Sequence, residues 1–217
     1  MARRVRKAVA DRGRNLDPRR IRLRRRVRHA LHGSTASIIS SNCIGGRISD
    51  LAGDDYRSPT VGLLIDPESF VEFVSDLPHY LTAEIVEDPA ESERLGYPVG
   101  RMGPVTIGFM HYPSFAEAVA TWRRRAERVR LDDVVVIYAD KGDADCTARF
   151  LDLPIERKLL ITTRADLAGP HVARLESVGD PLGIDMGDLY TNWERLAPVL
   201  TPERLALLRS AGTSTLR

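Results

Sequence analysis

Cysteine is scarce in this sequence, and the two residues present, Cys43 and Cys146, are too few for a disulfide scaffold. We therefore expect free thiols. No apolar run approaches the roughly 20 residues that a membrane-spanning helix needs, and the N-terminus has no apolar segment of the kind found in secretory signals. These absences predict a cytoplasmic protein.

Several motifs of common enzyme classes are also missing. The sequence has no G-x-x-x-x-G-K-[ST] phosphate loop, and no pair of cysteines or histidines has the spacing of a zinc site, so we expect no metal. A cysteine phosphatase needs an arginine six positions after its cysteine, whereas Arg47 follows Cys43 by four. The sequence therefore disfavours P-loop proteins, zinc enzymes and cysteine phosphatases.

Positive charge is concentrated at one end of the chain. Residues 1–30 hold thirteen basic and two acidic side chains, whereas the rest hold nineteen basic and twenty-eight acidic ones. We divide the chain into a basic N-terminal arm, 1–33, with a short helix at Arg19–Leu31, and a single α/β domain, 34–217. The positive charge of the arm favours binding to an acidic acyl carrier protein, to a phosphate group or peripherally to an anionic membrane. The alternative is a solvated tail, and nucleic acid is disfavoured because interleaved aromatics are missing.

Apolar periodicity predicts strands and helices in alternation. The predicted strands are Ala36–Ser40, Val61–Ile65, Thr82–Val86, Val105–Met110, Val134–Tyr138 and Lys158–Thr162, and the predicted helices are Ser69–Leu81, Ser114–Val129, Asp143–Leu151 and Glu203–Ser210. Asp88–Gly103 and Glu176–Asp188 are predicted loops. This order predicts an α/β fold, namely a three-layer sandwich with a mostly parallel, Rossmann- or flavodoxin-like sheet.

The turn after the first predicted strand carries a cysteine followed by Gly45 and Gly46. In open α/β sheets, ligands bind beyond the carboxyl ends of the strands, where helix N-termini also lie. A thiol there experiences partial positive charge, which lowers its pKa. Cys43 is therefore a candidate nucleophile, although a buried, inert cysteine is the alternative interpretation.

Two further polar residues follow predicted strands, His111 and Asp140. If all three strands share one sheet edge, the imidazole can take the thiol proton and the carboxylate can orient the imidazole. Structural roles for both residues stay open. The predicted oxyanion- and substrate-binding residues are Asn42, Ile44, Gly45, Gly46 and Tyr112.

Several ordered motifs resemble the DUF1919 family of bacterial proteins. They are Ser40–Gly46, Tyr56–Leu63, Tyr97–Gly100 and the stretch from Phe109 to Arg125. The resemblance covers roughly Ser37 to Thr163 and implies an α/β fold and a link to exopolysaccharide or capsule biosynthesis. A weaker likeness joins Ser41-Asn42-Cys43-Ile44 to capsule-pathway acyltransferase-like proteins that carry G-N-C-Q, although the glycine and the glutamine are absent here.

These features favour a cysteine-dependent acyltransferase. The donor would be an acyl-coenzyme A or acyl-carrier thioester, used as a co-substrate and not as a permanently bound cofactor, and the acceptor a hydroxyl or amine of a sugar, other glycan or natural product. The alternatives are a thioesterase or esterase and a non-catalytic binding protein of a glycan pathway.

Overall fold

The computed structural model describes residues 18–175 and 197–209, which form helices and strands in mixed order. In chain order they are α1 (Pro18–Leu31), β1 (Ser37–Ser40), α2 (Ile44–Ala52), β2 (Leu64–Ile65), α3 (Pro67–Ser75), α4 (Leu77–Thr82), β3 (Val86–Glu87), α5 (Pro89–Leu95), β4 (Val99–Met102), β5 (Val105–Gly108), α6 (Phe115–Ala126), β6 (Val134–Ala139), α7 (Ala144–Asp152), β7 (Lys158–Thr162), β8 (Val172–Arg174) and α8 (Pro202–Leu208). The predicted loop Glu176–Asp188 lies outside the described residues.

Four strands form a parallel sheet in the order β1-β6-β7-β8. The β-branched run of β6 lies between β1 and β7, and all but its first residue are buried, as expected for a strand covered on both faces. Parallel pairing brings the carboxyl ends of β1, β6 and β7 to one edge. Cys43, Asp140 and Thr162 therefore come from neighbouring strand ends.

The other four described strands form an antiparallel sheet in the order β2-β5-β4-β3. We expected the segments of β2 and β5 in one mostly parallel sheet, and that expectation is wrong for both, because β5 pairs antiparallel with β2 and, across a two-residue turn, with β4. Gly103, the first turn residue, has a φ of +58°, and a glycine at this position is typical of tight hairpins. Strand β4 lies within the segment Asp88–Gly103 that was predicted as a loop, so this hairpin was missed.

Alternate residues of the parallel sheet enter two separate apolar clusters. Ile39, Val136 and Leu160 pack with residues of α3, α6 and α7, whereas Ile38 and Val135 pack with α1, α2 and α8. Both faces of the sheet are thus covered by apolar side chains. Burial of this kind contributes roughly 25 cal/mol per Å² of apolar surface, which makes the two clusters the main source of stability.

Helix α1 belongs to the second cluster through Leu23, Val27 and Leu31, which are all buried. The arm that the sequence predicts at 1–33 therefore contains a helix packed on the domain. Residues 1–17 lie outside the described part, and the division at residue 33 stays a prediction. None of the helices at 18–175 and 197–209 is long and apolar enough to cross a membrane.

Candidate functional site

The turn between β1 and α2 is held by side chains on either side of Cys43. Asn42 Oδ1 accepts a hydrogen bond from the Ile44 N–H at 2.9 Å, and Ser40 Oγ accepts one from the Gly45 N–H at 3.1 Å. The Ser40 hydroxyl also donates to the Asn42 carbonyl at 2.5 Å. Two of the N–H groups that a helix leaves unsatisfied at its start are therefore capped.

This capping bears on the predicted oxyanion donors. The N–H groups of Ile44 and Gly45 already have acceptors, which leaves the Gly46 N–H as the predicted donor that neither Asn42 nor Ser40 engages. Because glycines have no side chain, Gly45 can lie close to β1 and Gly46 can lie close to Val61 of segment 56–65. A Cβ on Gly45 would lie 2.7 Å from Ser40 Oγ and 3.2 Å from the backbone oxygen of Ile38.

Cys43 is partly exposed and lies beside the segment 56–65. Its thiol donates a long hydrogen bond to the Leu63 carbonyl, with Sγ 3.8 Å from the oxygen. The same segment is tied to β1, because Thr60 Oγ1 accepts from the Ser40 N–H at 3.0 Å and the Ile65 N–H donates to the Ser41 carbonyl at 3.0 Å. The surroundings of the thiol are thus determined by segment 56–65 as well as by the helix.

His111 approaches this segment from the antiparallel sheet. It follows β5, is exposed, and lies beside Gly62, where an added Cβ would be 3.8 Å from the His111 Cβ. Within the described part of the chain, no hydrogen bond joins its imidazole to Cys43 or to Asp140. The sequence placed His111 at a parallel strand end, whereas the structure places it after an antiparallel strand and beside Gly62, which precedes the residue whose carbonyl accepts from Cys43. Its catalytic role stays a prediction.

Asp140 is buried at the carboxyl end of β6, as its place in the sequence predicts. One carboxylate oxygen accepts from the Gly142 N–H and the other from the Thr162 hydroxyl, each at 2.7 Å. These bonds join the ends of β6 and β7. Both oxygens are engaged by neighbouring groups, and the predicted role of Asp140 in orienting an imidazole stays untested.

Tyr112 follows His111 in the loop after β5 and is half-buried. Its hydroxyl accepts a hydrogen bond from Arg125 Nη1 at 2.8 Å and donates to the Val61 carbonyl at 3.2 Å. Burial raises the pKa of Tyr112, and the positive charge of Arg125 opposes that shift. In this conformation the Tyr112 hydroxyl holds segment 56–65, which is a different task from the predicted contact with substrate.

Sequence patterns predicted no role for Arg125 or Lys141. Arg125 extends from α6 to the site, and its only sequence signal was its place in the last of the resemblance motifs. Lys141 follows Asp140 at the sheet edge and is half-buried; burial lowers its pKa, an effect that the charge of Asp66 opposes. A lysine two residues after a buried strand was the available signal for this residue.

The comparison with protein families agrees with the motifs of this site. The model of DUF1919, a domain of unknown function, matches residues 15–168, which is more than half of the chain. The chain belongs to the DUF1919 family. The match includes Cys43, His111 and Asp140, whereas β8 and α8 lie beyond it.

A relative from Haemophilus influenzae, described as an uncharacterized protein, is 30% identical over 142 residues. These residues make up 64% of this chain and 68% of the relative. The description of this relative names no activity.

Proposed function

We propose that this DUF1919 protein is a cytoplasmic, cysteine-dependent acyltransferase of a glycan or natural-product pathway. The observation that carries the proposal is the position of Cys43: a partly exposed thiol at the start of α2, beyond the carboxyl end of a parallel strand. This is the location where α/β folds bind ligands and where a helix N-terminus favours negative charge on sulfur.

The proposed reaction has two steps. Cys43 loses its proton to His111 and attacks the carbonyl carbon of an acyl thioester, and the donor thiolate leaves with the proton from His111. The acceptor hydroxyl or amine then gives a proton to His111 and attacks the acyl-cysteine, which releases the Cys43 thiolate, and His111 returns the proton to that thiolate. The Gly46 N–H is the proposed donor to the oxyanion of both tetrahedral intermediates.

The basic helix α1 supports a negatively charged acyl donor. Arg22, Arg24 and Arg25 are exposed on it, and the helix contains no acidic residue. An acidic acyl carrier protein, or the phosphates of coenzyme A, would be attracted to this surface. Because the apolar residues of α1 are used in the core, insertion into a membrane is the less favoured role.

We interpret the parallel sheet and its two covered faces as a three-layer sandwich that resembles Rossmann and flavodoxin folds. The strand order β1-β6-β7-β8 runs in one direction, whereas those folds reverse their order at a switch point. The proposal therefore relies on the strand ends and not on a switch point.

Intact-protein mass spectrometry tests the activity directly. Wild type, Cys43→Ala and Cys146→Ala proteins are incubated with a panel of acyl-coenzyme A and acyl-carrier thioesters. We expect a mass increase equal to the acyl group in wild type and Cys146→Ala, and none in Cys43→Ala. Adducts that persist in Cys43→Ala, or no adduct with any donor, would contradict the proposal. Release of a labelled adduct to water alone would indicate a thioesterase or esterase.

A non-catalytic binding protein is the second candidate. It is favoured by the hydrogen bonds that already engage both Asp140 oxygens and the N–H groups of Ile44 and Gly45. A sugar phosphate that binds Cys43→Ala as tightly as wild type, measured by calorimetry, would support this candidate.

A further inference from the structure

The guanidinium of Arg125, on α6, contacts both segment 56–65 and the loop that follows β5. Its Nη1 donates to the Val61 carbonyl at 3.0 Å and to the Tyr112 hydroxyl at 2.8 Å. Its Cζ lies 4.9 Å from the centroid of the Tyr56 ring, within cation–π distance. Tyr56 in turn donates to Asp50 of α2 at 2.6 Å, so Arg125 connects α6 to α2 through segment 56–65.

The Val61 carbonyl that Arg125 holds lies two residues before the carbonyl that accepts from the Cys43 thiol. Val61 also packs on the start of α2, because its Cγ1 lies 2.8 Å from where a Cβ on Gly46 would be. Gly62 follows with a φ of +81°, a left-handed conformation that turns the chain toward Leu63. The carbonyl of Leu63 is the acceptor of the Cys43 thiol.

We propose that Arg125 is a positioning residue of the Cys43 site. It acts through the Val61 carbonyl: by fixing Val61, it fixes the Leu63 carbonyl two residues later and with it the direction and access of the thiol. Its importance for acyl transfer rests on the proposed function, whereas its effect on the thiol itself does not.

The contacts explain why arginine stands here. One guanidinium donates to two oxygens while its planar face lies over an aromatic ring, a combination that the point charge of a lysine does not reproduce. A hydrogen bond to a charged group contributes a factor of about ten to a hundred to an equilibrium between closed and open conformations. Loss of Arg125 is therefore expected to open segment 56–65 without unfolding the core.

The experiment compares Arg125→Met, Arg125→Lys and Tyr112→Phe with wild type, and uses Arg123→Met as the matched control. Arg123 is an exposed arginine of the same helix. Two quantities are measured in the full chain: hydrogen exchange of the Ile65 N–H, and the alkylation rate of each cysteine by iodoacetamide. Cys146 is buried and reports unfolding of the core.

In Arg125→Met we expect about tenfold faster exchange at Ile65 and about tenfold faster alkylation of Cys43, with Cys146 still unlabelled. Arg125→Lys should lie between this variant and wild type, and Arg123→Met should match wild type. If Arg125→Met does not fold, Tyr112→Phe, which removes one of the two donors to the Val61 carbonyl, should show the same selective change.

The proposal is overturned if Cys43 and Ile65 stay within about twofold of wild type, or if Cys146 becomes labelled in parallel with Cys43 in every folded variant. Its failure is distinguishable from failure of the acyltransferase. A selective change at Cys43 in a protein that accepts no acyl donor would support positioning and refute acyl transfer, and normal acylation without any effect of Arg125 would do the reverse.

Discussion

The two thiols of this DUF1919 protein both lie at the start of a helix that follows a parallel strand, yet their surroundings differ. Cys43 is itself the N-cap of α2 and is partly exposed. Cys146 is the third residue of α7, is buried, and donates its N–H to the carboxylate of Asp143, the N-cap, at 2.9 Å. Burial, together with the hydrogen bond and charge of Asp143, raises the pKa of Cys146 to about 11.

The difference shows that a helix N-terminus does not by itself activate a cysteine. At α7 the acidic cap already supplies the negative charge that the helix end favours. A thiolate at Cys146 would therefore be repelled by that carboxylate and would also be buried away from water. At α2 the capping oxygens belong to the neutral side chains of Ser40 and Asn42. Burial first, and the acidic cap second, therefore distinguish the thiol of Cys146 from that of Cys43.

The largest expected effect is in alkylation of the native wild-type protein. With a pKa of about 11, Cys146 is thiolate in roughly one molecule in ten thousand at pH 7, whereas an ordinary thiol is a few per cent thiolate. We expect iodoacetamide to modify Cys43 at least about a hundred times faster than Cys146. Peptide mapping by mass spectrometry measures both rates, and equal rates would remove the contrast between the two sites.

The second expected effect concerns pH and Cys146. Its pKa is raised in the folded protein, so its contribution to stability is complete below the unfolded thiol pKa and is lost as the pH rises through about 11. Between pH 9 and 11 we expect the free energy of unfolding to fall by about 2 kcal/mol more in wild type than in Cys146→Ala. Denaturant titrations at each pH measure this, and parallel curves would show that Cys146 ionises alike in both states.

A slightly smaller effect is expected from Gly45→Ala at the start of α2. The new methyl group would lie 2.7 Å from Ser40 Oγ, which holds the turn by two hydrogen bonds. We expect a loss of about 1 to 2 kcal/mol in the free energy of unfolding. Asp145→Ala, at the same position of α7 and exposed, is the control and should cost less than about 1 kcal/mol. Equal losses in urea unfolding would mean that the turn has room for a side chain.

The smallest effect is expected from Asp143→Asn. Asparagine keeps the capping oxygen but removes the charge, so the pKa of Cys146 should fall while burial still holds it above the ordinary value. We expect alkylation of Cys146 to rise by about tenfold or less, with Cys43 unchanged. Asp66→Asn, the corresponding N-cap of α3, should leave Cys146 as it is. If Asp66→Asn also raised the alkylation rate of Cys146, the cause would be a general loosening of the fold and not the charge of Asp143.

Sequence patterns predicted helices and strands correctly where interactions between neighbouring residues determine them. The helix at Ser114–Val129 is confirmed as Phe115–Ala126, with Ser114 accepting from the Glu117 N–H as its capping pattern predicts. The strand at Lys158–Thr162 is also confirmed. The helix predicted at Ser69–Leu81 is interrupted at Asp76, whose side chain caps a second helix that contains Pro78. A proline lacks the N–H that a continuous helix would need.

The site was predictable only in part. Cys43 and Asp140 lie where strands end, and strand ends can be read from apolar runs. Arg125 lies on a helix surface with two other arginines in sequence, and nothing in the periodicity of α6 distinguishes the one that extends to Val61 and Tyr112. Contacts between residues 13 and 64 positions apart depend on how the sheets pack.

The sequence by itself determined the strand and turn that lead to Cys43, the buried strand β6 and the basic helix α1, because apolar periodicity, glycines and charge act over a few residues. Only the tertiary structure decided that β5 pairs with β4 in an antiparallel sheet, that His111 lies beside Gly62 of segment 56–65, and that α1 packs on the core. These features depend on contacts between distant segments, which local patterns do not encode.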